Sequence, residues 1–203
     1  QNQYKYRLAS MLAVDDMVGK IVSSLKANGV YKNTTLLFTS DNGYYFGEHR
    51  LSGKQLPYEE GIRVPLMING KGQGNKSITA IVLNNDLAPT IADIANATPI
   101  ITIDGRSFVP LLNNTNFAWN RTQFIIENYY PTNATANNIT LRTGIIPNFF
   151  SLRILNSTNS FSYTFWNDSL FDEFYDINND IYQLENMAST INQTYYRNKV
   201  NQF

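Results

Sequence analysis

The sequence predicts an α/β fold in which helices cover a mostly parallel sheet, followed by a small antiparallel sheet with one helix. A long amphipathic helical pattern leads directly into a short continuous apolar strand, which together make half of a crossover unit. The composition changes after about residue 113, where short β-rich runs begin to alternate with turns rich in Asn, Thr and Ser. We therefore expect an α/β part over residues 1–115 and a small α+β subdomain over residues 116–203.

Four elements of the first part follow from periodicity and from turn residues. Apolar residues recur at i, i+3, i+4 and i+7 from Tyr4 to Asn28, and Gly29 is suited to end that helix. Continuous apolar runs predict buried strands at Thr34–Thr39 and Val64–Ile68. A second helix is expected over Ala88–Ala95.

The second part contains runs with the alternation and β-propensity of strands. Strands are expected at Phe124–Asn128, Thr140–Thr143, Phe149–Ile154 and Ser162–Trp166. A last helix is expected over Ile181–Lys199.

Charge and composition exclude several classes of partner. Lysine and arginine together number 16, as do aspartate and glutamate, so no basic field predicts binding to nucleic acid. No apolar run approaches the roughly 18 residues of a membrane span, so none is expected. The chain has no cysteine, and disulfides therefore give no information on the redox compartment.

Glycosylation sequons are more frequent than the composition explains. Chance predicts roughly four Asn-x-Ser/Thr triplets. The sequence holds ten, at Asn33, Asn75, Asn96, Asn113, Asn120, Asn133, Asn138, Asn156, Asn167 and Asn192. We interpret them as the mark of a secreted or lysosomal glycoprotein, and an Asn-biased genome is the alternative.

A polar cluster follows the first predicted strand and contains four candidate functional residues. Asp41 and Asn42 supply hard oxygen donors, which suit calcium or magnesium better than zinc. Lys54 can neutralise a tetrahedral oxyanion, and His49 is the only histidine of the chain. The alternatives are an ordinary Asp-Asn-Gly turn, a solvated surface lysine and a loop histidine bonded to backbone.

The order and spacing of five segments resemble the sulfatase family over nearly the whole chain. These segments are Ser40–Gly43, Gly53–Pro65, Asn85–Ile91, Asp104–Phe108 and Phe174–Ala188. The sequence looks most similar to the branch of arylsulfatases and N-acetylglucosamine-6-sulfatases. The resemblance implies part of an alkaline-phosphatase-like three-layer sandwich, followed by the small antiparallel sheet and helix.

The resemblance also implies roles for the polar cluster. Asp41 and Asn42 correspond to calcium ligands, and Lys54 corresponds to a sulfate contact. His49 lines the pocket and is a candidate for protonation of the leaving group. Tyr45 departs from the pattern, because related sequences often carry another histidine there.

The nucleophile motif of the family is absent from these 203 residues. Sulfatases use a formylglycine made from the first residue of Cys/Ser-x-Pro-x-Arg. The residues two positions before each proline are Gln55, Arg63, Leu87, Ala97, Phe108, Tyr129 and Ile145. We therefore expect the chain to correspond to the C-terminal portion of a sulfatase, to be inactive alone, and to bind calcium weakly.

The sequence thus predicts part of a sulfuric ester hydrolase. The whole enzyme would use formylglycine and calcium to hydrolyse sulfate esters of sugars or glycosaminoglycans, or aryl sulfates. One alternative is a phosphoesterase of the alkaline-phosphatase superfamily with a Ser or Thr nucleophile. Another is a non-catalytic secreted glycoprotein that binds glycans.

Overall fold

The computed structural model describes residues 2–70, 75–114, 116–129, 146–155, 158–166 and 171–203. The chain divides into two compact units. The first contains Gln1–Asn42, Val64–Thr79 and Asn84–Phe117. The second contains Gly43–Arg63, Ala80–Leu83 and Ala118–Phe203. The domain boundary at residue 115 stays a prediction.

Five α-helices and eight strands occur within the described residues. The helices are α1 (Asn2–Ala27), α2 (Glu59–Ile62), α3 (Leu87–Ile94), α4 (Val109–Asn113) and α5 (Gln193–Val200). The strands are β1 (Leu36–Thr39), β2 (Tyr45–Phe46), β3 (Ser52–Gly53), β4 (Leu66–Asn69), β5 (Gln123–Asn128), β6 (Phe149–Leu155), β7 (Ser160–Trp166) and β8 (Asp172–Asp176).

Helix α1 confirms the first predicted helix, and its end is defined by glycine. Gly29 has φ of 71°, which a residue with a side chain adopts only with strain. Its N–H donates to Lys26 O at 3.0 Å, and Val30 N–H donates to Leu25 O at 3.1 Å. These two bonds form a Schellman motif and satisfy carbonyls that the helix leaves without partners.

The expected parallel pairing is wrong for strand β1. β1 pairs antiparallel with β4 in a two-stranded sheet, with Leu36 opposite Asn69 and Thr39 opposite Leu66. β1 is half-buried at every position, and β4 alternates between half-buried and exposed positions. A parallel neighbour requires a crossover connection, whereas the chain between β1 and β4 reverses direction. A continuous apolar run therefore identified the strand but not its partner.

Helix α3 confirms the second predicted helix and packs its first turn against the segment before α4. Asp86 is fully buried, and its Oδ1 accepts the N–H of Arg106 at 2.7 Å. The hydroxyl of Thr90 donates to Asp86 O at 2.6 Å and accepts the N–H of Phe108 at 3.1 Å. Buried polar groups are thus satisfied by each other across the two segments.

The second unit is built on a four-stranded antiparallel sheet in the order β5-β6-β7-β8. A row of paired residues crosses it, from Ile125 through Leu152 and Tyr163 to Phe174. The last three are at most 4% exposed and belong to the core of this unit. The sheet confirms the small antiparallel sheet and three of its predicted strands. β8 was not expected as a strand, and Thr140–Thr143 lies outside the described residues.

The last helix is shorter than the predicted range Ile181–Lys199, because side chains bind the backbone before it. Asp180 accepts the N–H groups of residues 184 and 185 at 3.0 and 2.8 Å. Asn186 accepts those of residues 174 and 188, each at 3.0 Å. Such local bonds compete with helix formation. Helix α5 begins only after Asn192, whose side chain accepts the N–H of Tyr195 at 3.1 Å as an N-cap.

One buried carboxylate attaches α5 to the sheet. The side chain of Asp172 is fully buried, and Arg197 binds it through Nη2 at 2.5 Å and Nε at 3.0 Å. The hydroxyl of Tyr163 donates to the same carboxylate. The guanidinium of Arg197 also lies 4.4 Å from the centroid of the Phe165 ring. A bidentate, charge-assisted pair of this kind fixes geometry as well as adding stability.

We expect Asp172→Asn to lower the free energy of unfolding by about 2–3 kcal/mol, because the charge-assisted bonds are lost while a polar group stays buried. Urea unfolding followed by circular dichroism measures the change. Asp16→Asn, on the exposed surface of α1, is the control and should leave the midpoint unchanged. Equal shifts for the two variants would contradict the assigned role of Asp172.

Candidate functional site

The predicted metal ligands lie in a tight turn directly after β1. Asp41 Oδ1 accepts the N–H of Asn42 at 2.9 Å, and the hydroxyl oxygen of Ser40 lies 3.0 Å from Asn42 O. The amide of Asn84 donates to Asp41 O at 3.0 Å. Asp41 itself is exposed. The turn is therefore fixed by its own hydrogen bonds and by Asn84, while the carboxylate can reach solvent.

The donor chemistry of this turn suits a hard cation but supplies only part of a calcium site. Calcium takes about six to eight oxygen ligands, and Asp41 and Asn42 offer one carboxylate and one carboxamide. Among the described residues no three His, Cys, Asp or Glu side chains form a group that could hold a metal ion. Metal binding by these two residues stays a prediction.

The candidate residues His49 and Lys54 lie together on one segment of the second unit, Gly43–Arg63, which we call the lysine loop. Its ends meet through the N–H of Gly43, which donates to Gly61 O at 2.9 Å. Tyr45 is 1% exposed and donates to Leu56 O at 2.8 Å. A Cβ at Gly61 would lie 2.3 Å from the hydroxyl oxygen of Tyr45, so a larger residue does not fit. Tyr45 thus closes the loop.

The middle of the lysine loop has a strained backbone. Five residues between positions 47 and 55 have positive φ, namely Gly47 (126°), His49 (52°), Arg50 (58°), Gly53 (123°) and Gln55 (85°). For residues with a Cβ this conformation costs about 1–3 kcal/mol each and persists only where surrounding contacts determine it. Strain of this kind is typical of functional sites.

The imidazole of His49 is held between aromatic rings and a carboxylate. Its side chain is 12% exposed, and its Nε2 lies 3.3 Å from Glu60 Oε2. Within the described residues that oxygen has no hydrogen-bond partner, so the two groups are close but outside hydrogen-bonding geometry. The ring stacks on Tyr58 with centroids 4.2 Å apart and planes at 16°. The arrangement fixes the ring, and its catalytic role stays a prediction.

Lys54 is exposed and directly follows β3 in the lysine loop. An exposed ammonium on a strained loop can meet an anionic ligand from solvent. Lys54 and His49 belong to the second unit, whereas Asp41 and Asn42 belong to the first. That Lys54 lies beside the predicted metal ligands therefore stays a prediction.

Sequence reasoning missed Arg153, which lies on β6. Its side chain is 5% exposed, and it binds Glu59 Oε1 through Nη2 at 2.9 Å and Nε at 3.1 Å. Its Nη1 donates to Ser160 Oγ and Phe161 O, both at 3.0 Å. Arg63, four residues after Glu59, also pairs with it at 3.8 Å, but the Arg63 side chain is 82% exposed. The stronger partner of Glu59 is therefore the buried arginine.

Two further side chains of the second unit contact the lysine loop. The hydroxyl of Tyr58 lies 3.1 Å from both carboxylate oxygens of Glu173, a residue of β8 that is 7% exposed. Burial raises the pKa of Glu173, and the hydrogen bond from Tyr58 opposes that rise. Gln183 accepts the N–H of Glu59 at 2.8 Å and has a positive φ of 51°. Sequence periodicity offers no signal for such contacts.

The predicted glycosylation sites are exposed wherever the structure describes them. These are Asn33, Asn75, Asn96, Asn113, Asn120 and Asn192. The remaining four, Asn133, Asn138, Asn156 and Asn167, lie outside the described residues. In the described part of the chain, no helix combines the length and the apolar character that crossing a membrane requires.

Comparison with known proteins identifies relatives of both the sequence and the structure. Residues 1–97 match the family model described as Sulfatase. The bovine (Bos taurus) N-acetylglucosamine-6-sulfatase is 41% identical over 130 residues, which are 62% of this chain and 23% of the relative. An extracellular sulfatase SULF-1 homolog of Drosophila melanogaster is 42% identical over 114 residues, which are 55% of this chain and 10% of the relative.

A solved structure with a bound sulfated sugar has a similar fold. That protein, described in complex with its substrate D-glucosamine-2-N,6-O-disulfate, matches with a TM-score of 0.75 and 28% identity. The match covers 95% of this chain and 37% of the other. The chain thus spans about a quarter or less of the two curated relatives. The likeness confirms the alkaline-phosphatase-like α/β fold class.

We expect Glu173→Gln to remove a pH-dependent loss of stability. Since burial raises the pKa of Glu173, the folded state binds this proton more tightly than the unfolded state. The stability of the wild type should therefore fall as pH rises from the ordinary carboxyl range, about 4, through the raised pKa. Over that pH interval, the unfolding free energy of the variant should therefore rise relative to that of the wild type.

Urea midpoints measured from acid to neutral pH test this expectation. Glu127→Gln, at an exposed position of β5, is the control and should show no such shift relative to the wild type. A difference between Glu173→Gln and the wild type that is the same at every pH would contradict it.

Proposed function

We propose that the chain provides metal and sulfate contacts in a sulfuric ester hydrolase that acts on sulfated sugars, because its sequence matches the Sulfatase family model and a sulfatase that acts on such a sugar. The observation that carries the proposal is the match of 95% of this chain to a protein solved with D-glucosamine-2-N,6-O-disulfate. The activity itself requires a nucleophile from outside these 203 residues, since they contain no Cys/Ser-x-Pro-x-Arg.

The chemistry of the candidate residues supports distinct roles. The ammonium of Lys54 would neutralise a non-bridging sulfate oxygen as charge develops during attack on sulfur. The imidazole of His49 would line the substrate pocket and protonate the leaving oxygen. Asp41 and Asn42 would hold calcium together with ligands from elsewhere, and a bound calcium would supply Lewis-acid polarisation of the sulfate.

The relatives support an amino sugar carrying a sulfate ester as the substrate. The bovine relative is named as an N-acetylglucosamine-6-sulfatase, and the sugar in the solved structure carries a 6-O-sulfate. An aryl sulfate would serve as a chromogenic substitute, because the same charge develops on its sulfate group.

We further propose that the chain is a glycoprotein of the secretory route, in a lysosomal or secreted protein. The six described sequon asparagines are exposed, as attachment of a bulky glycan requires. The Drosophila relative is named as an extracellular sulfatase, which supports the same route.

The 203-residue chain alone should not hydrolyse an aryl sulfate, because no residue in it can form the formylglycine nucleophile. The test is hydrolysis of a chromogenic aryl sulfate by the purified chain with calcium. Turnover above background that disappears in Lys54→Ala would mean that the chain contains a nucleophile other than formylglycine.

A chimera tests the role of Lys54 in turnover. Residues 1–203 would replace the matching segment of the bovine N-acetylglucosamine-6-sulfatase, which supplies the remaining sequence. Lys54→Ala in this chimera should lower kcat/KM for N-acetylglucosamine 6-sulfate by about 10²–10³, the usual cost of one lost transition-state charge contact. Lys32→Ala is the matched control, since this lysine is also exposed but lies in the turn after α1.

The chimera also separates the alternative functions. Hydrolysis of phosphate esters in preference to sulfate esters would favour a phosphoesterase. Binding of the sulfated sugar without turnover would favour a glycan-binding protein. Equal activity of the Lys54→Ala and Lys32→Ala chimeras would remove Lys54 from the mechanism.

A further inference from the structure

The two halves of the lysine loop are stabilised in different ways. Residues 47–55 carry the five positive φ angles. The regular structure of this half is the two-residue pairing of β2 with β3 and one 3₁₀ turn. Tyr58 and Glu59 instead contact the four-stranded sheet and the segment after β8. Because strained backbone persists only where other contacts determine it, the second half has to hold the first.

Glu59 is the first point of attachment. Arg153 binds its carboxylate through two nitrogens, and Gln183 accepts its backbone N–H. Arg153 is itself fixed, because its remaining terminal nitrogen donates to Ser160 Oγ and Phe161 O within the sheet. The position of Glu59 is therefore set by the sheet and by a buried glutamine, and not by the loop alone.

Tyr58 is the second point of attachment and connects the sheet to His49. Its hydroxyl binds Glu173 on β8, and its ring lies edge-on to Tyr175 with centroids 6.2 Å apart. The face of the same ring carries the imidazole of His49 at 4.2 Å. Glu60, the next residue after Glu59, faces Nε2 of that imidazole. The stacked ring and the carboxylate next to His49 thus belong to the attached half of the loop, while the ring of Tyr45 lies edge-on at 6.4 Å.

We propose that Arg153 and Glu173 are positioning residues that set the orientation of the His49 imidazole by holding Glu59 and Tyr58. The four-stranded sheet would then act in the site without supplying a group that touches the substrate. The consequence for turnover rests on the proposed function, whereas the orientation of the ring does not. Nothing in this arrangement requires a bound ligand.

The single histidine makes the orientation directly measurable. His49 gives one imidazole signal in the NMR spectrum of the full chain, and stacking on Tyr58 displaces that signal through the ring current. In Arg153→Gln the signal should lose roughly half or more of its displacement from the free-imidazole position, because offset stacking is sensitive to small movements. Tyr58→Phe, which keeps the ring and removes the bond to Glu173, should act in the same direction.

A matched control and a second variant separate positioning from general loss of structure. Arg63→Gln removes the exposed partner of the same Glu59 and should leave the imidazole signal unchanged. Glu59→Gln leaves the sheet residues intact and should reproduce the effect of Arg153→Gln, even if the latter disturbs the core. An imidazole signal that stays at its wild-type position in Glu59→Gln and in Tyr58→Phe would overturn the proposal.

Turnover in the chimera gives the functional consequence. There Arg153→Gln should lower kcat about tenfold or more, with little change in KM, because misplaced groups act mainly on the chemical step. Displaced imidazole signals in an inactive chimera would support the positioning role while refuting the proposed function. An active chimera with wild-type kcat in Arg153→Gln would overturn the positioning role.

Discussion

The buried pair between Arg153 and Glu59 is the interaction on which the geometry of the second unit depends. Removing a guanidinium from water carries a large penalty, which attraction to a carboxylate offsets only when the remaining donors are also satisfied. Here Nε and Nη2 bind Glu59, while Nη1 binds Ser160 and Phe161. The pair therefore adds more to the uniqueness of the structure than to its stability, since few other loop positions would satisfy every donor.

That constraint explains why a strained loop can exist on this sheet. Positive φ at His49, Arg50 and Gln55 is unfavourable, and the short pairing of β2 with β3 has too few contacts to offset it. A second close contact also holds the loop in place. Gly61 leaves room for the hydroxyl of Tyr45, and no side chain larger than hydrogen fits there. A histidine at position 45 would not reproduce the bond from Tyr45 to Leu56.

The sequence predicted those features that depend on neighbours along the chain. The periodicity from Tyr4 to Asn28 and the glycine after it correctly predicted α1, and alternation predicted β5, β6 and β7. The pairing of β1 failed because an apolar run does not reveal the direction of its neighbour. The final helix was predicted too long because Asp180 and Asn186 bind backbone groups in a way that no helical periodicity signals.

In the candidate site, too, the sequence alone predicts residues with recognisable motifs but not their distant contacts. Motif order alone suggested Asp41, Asn42, His49 and Lys54 as candidates, since these residue types carry their chemistry in their side chains. Arg153 could not be found in that way, because 94 positions separate it from Glu59 and a single arginine in a strand has no distinguishing pattern. Residues that act by holding others are specified by tertiary contacts, so their discovery requires coordinates. A candidate site predicted only from its motifs therefore lacks the framework that gives those motifs their geometry.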